Sequence, residues 1–433
     1  MNAGMLPAAR RALAASGAGT ECYAGFVPGR IEVLGKHTDY AGGRSLVCAV
    51  EQGFVTVAAA RDDGVVRVHD AATGNRADLP FLPGLAEPRA PWMRYPATVV
   101  RRVARNFPAA RRGADIAFLS DLPPASGMSS SSAFMVSVFL ALAGVNRLDE
   151  DEAYRREIAS PEDLAGYLAT IENGQSFGAL TGDAGVGTFG GSEDHTAMLC
   201  CREGEFSQYA FCPARRERQV PCPDRRRFVV AVSGVVAEKT GAARDRYNRA
   251  SLAVRAILDA WRAASGRGDA SLGDAVARAG AGEVRGAIER ATVDGFETAV
   301  LLDRFDQFVA ESVEIIPAAA DALEAGDLAR FGALVDRSQA QCEQRLGNQV
   351  PETVALARLA RELGADAASA FGAGFGGSVW ALVPDEAVEA FTRNWSRAYG
   401  RAFPHVEPRF LATRAGAAAR VGDRHPGIPG RQT

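Results

Sequence analysis

Apolar and polar positions along this chain fall into segments whose period changes several times. Between residues 22 and 60 four short runs have strand character: Ala24 to Val27, Ile31 to Leu34, Leu46 to Val50 and Phe54 to Ala60. Turn chemistry separates them at Ala41-Gly42-Gly43 and closes them at Asp62-Asp63-Gly64. The spacing becomes helical over 92–106. Ile116 to Leu119 predicts a short strand that Asp121-Leu122-Pro123-Pro124 stops. A helix then starts among serines and runs through Phe134, Val136, Phe139, Leu140 and Leu142 to Gly144; apolar on nearly every face, it is expected to be buried. Another helix is predicted over 161–174. Arg202 to Arg227 is charged and carries prolines, which reads as a connection into a second lobe. Phe228 to Val232 is a strand, helical spacing follows to about 365, and Ala367 to Val383 reads as strand, Gly-rich turn and strand. The pattern predicts a mixed α+β protein of two lobes: an arm over 1–20, a first domain over 21–205, a second over 206–413, and a tail over 414–433. That tail is rich in Ala, Gly, Arg and Pro and is expected to be poorly ordered. No internal repeat is evident.

Composition narrows the function classes. The 433 residues are 47% hydrophobic and 23% charged, ordinary for a globular enzyme, and the net charge of −3 leaves no electrostatic footprint for nucleic acid. The longest apolar run, around Phe134 to Val145, is too short to span a bilayer. Met1 to Gly17 lacks an apolar core followed by a cleavage site, so it reads as a short helix or frayed arm. Seven cysteines argue against a disulfide framework, no Cys/His set has zinc spacing, and a reducing cytoplasm is the expected compartment. Cys200 and Cys201 follow an apolar run and are expected in the core or a strand. Lysine occurs twice, at Lys36 and Lys239, among 49 basic residues. A compact ammonium has thus been kept where arginine is otherwise the rule.

Lys36 lies inside Gly29-Arg30-Ile31-Glu32-Val33-Leu34-Gly35-Lys36-His37-Thr38-Asp39-Tyr40-Ala41-Gly42-Gly43. The glycine spacing and His37 exclude a P-loop. Either a strand ends in a polar turn that projects Arg30, Lys36, His37 and Asp39 into one pocket, or Glu32 pairs with Lys36 and Arg30 with Asp39 as a salt-bridge cluster. In Pro123-Pro124-Ala125-Ser126-Gly127-Met128-Ser129-Ser130-Ser131-Ser132, prolines stop a strand and serines start a helix, whose free N–H groups and dipole make an anion site. Gly372-Ala373-Gly374-Phe375-Gly376-Gly377 matches a dinucleotide fingerprint, but strand-like Ser378 to Val383 follows it, which excludes that fold. A turn that lines a ligand or lets two backbones approach fits better. Gly190-Gly191-Ser192-Glu193-Asp194-His195 suits a carboxylate held in a tight site, and Glu172 lies at a helix end upstream.

Together and in this order the motifs resemble the GHMP kinase superfamily, and within it the galactokinase group. The first is similar to that group's Gly-Glu-His-Thr-Asp-Tyr sugar-binding hallmark, the second to its phosphate loop, the third to its C-terminal glycine motif, and Pro91-Trp92 with Tyr95 to a Trp-x-x-Tyr element. The resemblance implies a two-lobed fold that binds ATP, Mg2+ and a sugar between its lobes and transfers the γ-phosphoryl to a sugar hydroxyl, at the anomeric C1 in the galactokinase group. It implies Asp194 as general base and Arg30 beside it; Lys36, His37, Asp39, Gly191 and Tyr247 at the sugar; Pro123, Ser126, Gly127, Met128, Ser129, Ser130, Ser131 and Ser132 at ATP. It further implies Gly374, Gly376 and Gly377 in the glycine motif, and Ser131 with Glu172 at the metal. The chain departs from the family pattern where Glu32 replaces Asn, Lys36 replaces Glu, and Glu193 and His195 flank the base in place of Met and Gln. A fourth serine also lengthens the phosphate loop.

Three functions follow. One is a sugar 1-kinase for a uronic acid, with Lys36 meeting a C6 carboxylate. Another is a plain galactokinase or arabinokinase. The third is a catalytically silent sugar and ATP sensor. A mevalonate-type kinase is the remote alternative. The partners expected are sugar and ATP, with no nucleic acid and no membrane, in a monomer or weak homodimer. The sequence leaves open whether Lys36 touches the substrate or pairs with Glu32.

Overall fold

The computed structural model describes residues 4–123, 126–235, 241–422 and Pro429, without the side chains of 241–244. Lys239, Pro124, Ala125 and most of 423–433 lie outside the described residues.

Two long antiparallel strands organise the first lobe. β1 (Glu21–Leu34) and β2 (Arg44–Arg61) each unite two of the predicted runs. The polar interruption Glu51-Gln52-Gly53 stays within β2, where Gly53 faces Pro28 across the pair. β1 carries register shifts between Pro28 and Arg30 and between Glu32 and Leu34. Such bulges re-aim side chains, and Arg30 and Glu32, two apart, share a face. β3 (Val65–Asp70) and β4 (Arg76–Pro80) form a hairpin beside β5 (Gly113–Ser120), which pairs with β2. β6 (Glu205–Ala210) pairs with β2 and with β7 (Arg215–Pro221). Most of the segment predicted as a connection is therefore a hairpin of the first sheet; its charges sit on a solvated face, which hid the strand alternation.

The second sheet has the order β11-β8-β10-β9, from β8 (Arg226–Val232), β9 (Ala367–Phe371), β10 (Ser378–Pro384) and β11 (Arg409–Thr413). The chain then returns: β12 (Ala415–Gly416) pairs with β2 and β13 (Arg420–Val421) with β1. Two short strands thus lie within 414–422, part of the stretch expected to be a loose tail. Buried Ala415, Ala418 and Ala419 explain the misreading, since small residues fitting against a sheet resemble a linker in composition.

Helix α1 (Met5–Ala15) buries Met5, Ala9 and Leu13, spaced four apart, against Val55, Val57, Ala59 and Ala117. α2 (Arg94–Asn106), α3 (Ser130–Asn146), α4 (Glu152–Glu157), α5 (Pro161–Asn173) and α6 (Glu193–Cys200) complete this lobe. α5 starts on a Ser160/Asp163 capping box with Pro161 in its first turn and ends on left-handed Gly174. α3 is buried on nearly all faces, as its composition requires; truncating a residue such as Phe139 to alanine would cost about 3–5 kcal/mol. α7 (Gly241–Ser265), α8 (Leu272–Ala279), α9 (Ala281–Arg290) and α10 (Thr298–Val309) form a helical layer with its own core. α12 (Leu328–Gln341), α13 (Pro351–Glu362) and α14 (Val388–Ala402) pack on the second sheet, and α11 (Ile316–Glu324) packs on α12 and against β2 and β7 of the first. π-helical turns at Ala310–Ile315 and Cys342–Leu346 flank α11 and α12. The largest core joins both sheets, with Phe228, Phe371 and Trp380 packed in one cluster with Ile31, Val47 and Phe139.

Candidate active site

A cavity of about 760 Å³ opens between the lobes, within the range of small-molecule sites. Arg30, placed by the β1 bulge, lies at its centre. Its Nε and Nη2 reach Asp194 Oδ1 at 2.7 and 2.6 Å, and its Nη1 donates to the Gly127 carbonyl. Burial works against the guanidinium charge, but Asp194, Glu193 and Glu32 outweigh it and raise its pKa. Asp194 sits in the first turn of α6 and accepts the Ser129 hydroxyl on its other oxygen.

One end of the cavity is built from backbone and hydroxyls. Ser129 holds a left-handed conformation (φ 54°) just before α3, and Gly127 (φ 69°) precedes it. The main chain there turns sharply enough to aim the start of a buried 17-residue helix at the cavity. Gly127, Ser129, Ser130 and Ser131 line it. Met128 is fully buried, and its carbonyl accepts the Arg30 N–H at 3.3 Å. Buried Ser126 Oγ has no hydrogen-bond partner among the described residues. Ser132 turns away from the cavity and donates to Glu172 Oε2 at 2.8 Å, whereas Ser131 lines the cavity. His195 Nε2 lies 3.5 Å from the same carboxylate oxygen. The glycine motif is the turn between β9 and β10. A Cβ on Gly374 would lie 2.3 Å from the Asn348 carbonyl, which admits no side chain there. Gly372, Gly374, Gly376 and Gly377 face the cavity, and Phe54, Phe118, Phe134, Trp92 and Tyr95 form an aromatic wall.

The other end is acidic. His37, Asp39, Tyr40, Gly190, Gly191 and Tyr247 line it, with Glu32 and Glu193 behind Arg30. His37 Nδ1 meets the Tyr40 hydroxyl at 2.8 Å and Nε2 the Ala373 carbonyl at 3.1 Å, so the neutral ring donates to the glycine motif and accepts from Tyr40. Burial and the charge of Arg304 lower its pKa to about 4. Arg304 donates to the His37 carbonyl and fixes the turn from beneath. Asp39 accepts the Glu193 N–H at 3.1 Å; burial, with Asp194 nearby, raises its pKa to about 6. A Cβ on Gly191 would lie 2.4 Å from Asp39 Oδ2, so only glycine fits beside it. Tyr247, on α7, stacks obliquely on His37 at 5.1 Å.

Lys36 is absent from the residues lining this end. Its side chain, 1% exposed, points into the second lobe, where Nζ bonds Ser338 Oγ at 3.1 Å. Ser338 donates to Glu311 Oε1 at 2.9 Å, and the Gly35 N–H donates to the same oxygen at 2.8 Å. Burial opposes the Lys36 charge, but Glu311 and its neighbours raise its pKa overall. Lys36 thus lies outside the cavity lining, and its hydrogen bond goes to Ser338; Glu32, the partner the sequence suggested, acts on it as a charge weaker than Glu311. The partners lie about 300 residues away in sequence, and Glu311 belongs to a π-helical turn, so no local pattern could reveal them. The sequence reading also passed over Glu32, Glu193, Ser45, Arg304 and Asn348; acids close to Arg30 and Asp194 in sequence were the available signal. The described residues hold no cluster of three His, Cys, Asp or Glu able to hold a metal, and no helix among them is long and apolar enough to cross a membrane.

Family models match three stretches: the galactokinase galactose-binding signature over 16–61, the GHMP kinases N terminal domain over 94–191, and the GHMP kinases C terminal region over 319–401. Among curated proteins, the galactokinase of Roseiflexus sp. is 29% identical over 401 residues, covering 92% of each chain. That of Actinobacillus pleuropneumoniae serotype 3 is 28% identical over 377 residues, covering 85% of this chain and 87% of its own. Among solved structures, Lactococcus lactis galactokinase complexed with galactose superposes with a TM-score of 0.73 at 22% identity, covering 92% of this chain and 94% of its own. The Methanococcus jannaschii mevalonate kinase gives 0.57 at 11% identity, covering 90% and 98%.

Proposed function

The chain belongs to the GHMP kinase superfamily, and from that premise we propose that it transfers the γ-phosphoryl of ATP to the anomeric C1 hydroxyl of a neutral, galactose-like sugar. The observation that carries this reading is the Arg30–Asp194 pair, held at 2.6–2.7 Å between an end of the cavity suited to phosphates and an end suited to hydroxyls. ATP would lie with its base against the aromatic wall and its phosphates on the N–H groups of 127–131. Asp194 would take the proton of the attacking hydroxyl, and Arg30 would hold that carboxylate and the transferring group in line. His37, Asp39 and Tyr247 would orient the sugar. Hard oxygen donors at Glu172 and the serine hydroxyls fit Mg2+, which commonly takes one or two carboxylates plus substrate phosphates, and bound there it would neutralise phosphate charge. The free cysteines among the described residues suit a reducing compartment such as the cytoplasm.

Two features favour a neutral sugar over a uronic acid. Lys36, the cation that motivated an acidic substrate, is committed to Ser338 and Glu311. The sugar end also presents Glu32, Asp39, Glu193 and Asp194, which would repel a substrate carboxylate.

ADP release measured with galactose, arabinose, galacturonic acid and glucuronic acid tests the reading. Turnover on a neutral sugar, at least about tenfold above either uronic acid in kcat/KM, is expected. Better use of a uronic acid would reverse the assignment. Binding of ATP and sugar without any ADP release would mark a sensor.

A further inference from the structure

The turn that joins β1 to β2 carries His37 and Asp39 to the cavity, and the second lobe holds that turn by its main chain. Glu311 Oε1 accepts the Gly35 N–H at 2.8 Å and the Lys36 N–H at 3.4 Å. Gln307 Nε2 donates to the Lys36 carbonyl at 3.1 Å, and Arg304 donates to the His37 carbonyl. All three side chains are buried. Positions 304, 307 and 311 recur every three or four residues, so one face of α10 and the π-helical turn after it grips consecutive residues of the sugar turn. Ser312 extends the grip by accepting the Arg44 N–H at 2.9 Å, where β2 begins.

We propose that Glu311 is a positioning residue for the substrate: its carboxylate fixes the turn, and so where His37 and Asp39 meet the sugar, while Lys36 serves it as a buried counter-charge. The inference rests on the kinase reading above. The Lys36 ammonium reaches Ser338 Oγ at 3.1 Å, and Ser338 donates to the same Glu311 oxygen at 2.9 Å. The lysine therefore steadies the carboxylate through a hydroxyl, and the carboxylate in turn holds the main chain.

The turn has little slack. Gly35 holds φ 124°, a Cβ there would lie 2.3 Å from Ser45 Oγ, and His37 holds φ 60°. Groups at the sugar end inherit any displacement of it. His37 Nε2 stands 3.1 Å from the Ala373 carbonyl, and Asp39 accepts the Glu193 N–H at 3.1 Å. A misplacement of about 1 Å can cost about a hundredfold in rate. The serine turn before α3 is a separate segment, so ATP should bind as before. Glu311 Oε2 has no hydrogen-bond partner among the described residues, so a glutamine there can keep the accepting oxygen in place.

The test uses two variants of opposite design. Glu311→Asp keeps the charge beside Lys36 and withdraws the accepting oxygen by one methylene. Lys36→Met/Glu311→Gln keeps the acceptor and removes both charges. ADP release is measured with galactose or arabinose, whichever the wild type turns over, and binding of the same sugar by titration calorimetry. KM for the sugar should rise at least about tenfold in Glu311→Asp and stay within about threefold of wild type in the double variant, with KM for ATP unchanged in both. A merely structural role would lower the folded fraction, and so the apparent kcat, while leaving both KM values alone. An unchanged sugar KM in Glu311→Asp, or an equal rise in the double variant, would overturn the proposal and leave the kinase reading intact. If Glu311→Asp does not fold, Lys36→Met/Glu311→Leu takes its place against the same limits, since it removes the acceptor and leaves no charge buried. Sugar binding without turnover in the wild type would remove the kinase reading, and Kd would then decide the positioning role in place of KM. No sugar binding would remove both.

Discussion

The two ends of the cavity solve opposite problems. The end proposed for phosphates carries almost no side-chain charge: it offers main-chain N–H groups at the start of α3, a left-handed Ser129 and a glycine turn in which Gly374 has no room for a Cβ. The end proposed for the sugar crowds four carboxyl groups around Arg30 and anchors its turn from behind through a buried ammonium. Backbone needs no counter-charge, so the first end is assembled from a few short segments, each shaped by its own local geometry. Buried charges need partners wherever the fold can supply them, and the second end draws on β1, β2, α6, α10, a π-helical turn and α12. The first end depends on local geometry, the second on tertiary structure.

That contrast can be broken at several points. Asp194→Asn keeps the shape of the acidic end and removes the proposed base; kcat should drop at least about a thousandfold while ATP binding, followed by titration calorimetry, persists. Glu311→Ala leaves Lys36 buried without its carboxylate and should cost about 3–5 kcal/mol in denaturant unfolding. Lys36→Glu should be at least as damaging, because it places a second carboxylate beside Glu311; a stable Lys36→Glu protein with altered sugar preference would contradict the burial of Lys36. Asp39→Asn should act the other way on stability. The Asp39 carboxyl has its pKa raised from 3.8 to about 6, so its stabilising protonation is complete below its unfolded value and lost as pH rises through 6. At pH 7 the folded protein bears the cost of that buried charge, and the amide should recover about 1–3 kcal/mol and flatten the melting temperature between pH 4 and 6, at the expense of sugar binding. Smallest of all, Ser132→Ala should cost about 1 kcal/mol by removing its hydrogen bond to Glu172, whereas Ser131→Ala should leave stability alone and raise the Mg2+ concentration needed for half-maximal rate. Equal effects of the two serine substitutions on both measurements would erase the distinction drawn between them.

What the sequence revealed follows the same division. Helix α3, the serine turn and the glycine turn were legible because period, capping and Cβ-free backbone are written within a few neighbouring residues. Strands β1 and β2 were legible as four pieces, since a bulge and a polar interruption look like chain breaks until the partner strand is seen. His37 and Asp39 were found at the cavity by motif, yet the destination of Lys36 was misjudged, because Ser338 and Glu311 meet it only after some 300 residues of chain have folded back. The β6–β7 hairpin and the β12 and β13 strands were missed because their sequences are charged or alanine-rich, and their strand character comes from the edges they join.

The return of the chain to the first sheet has a mechanical consequence. The polypeptide passes from one sheet to the other between Pro221 and Arg226 and comes back between Thr413 and Ala415. The two crossings are stitched together at Gly204, whose N–H donates to the Ala415 carbonyl at 3.0 Å and whose carbonyl accepts the Cys222 N–H at 2.9 Å. Two covalent links fastened side by side act as a spine between the sheets, beside the apolar core that also joins them. An opening that admits the proposed nucleotide and sugar is expected to be a small rotation about that spine, with the two ends of the cavity swinging apart and back together.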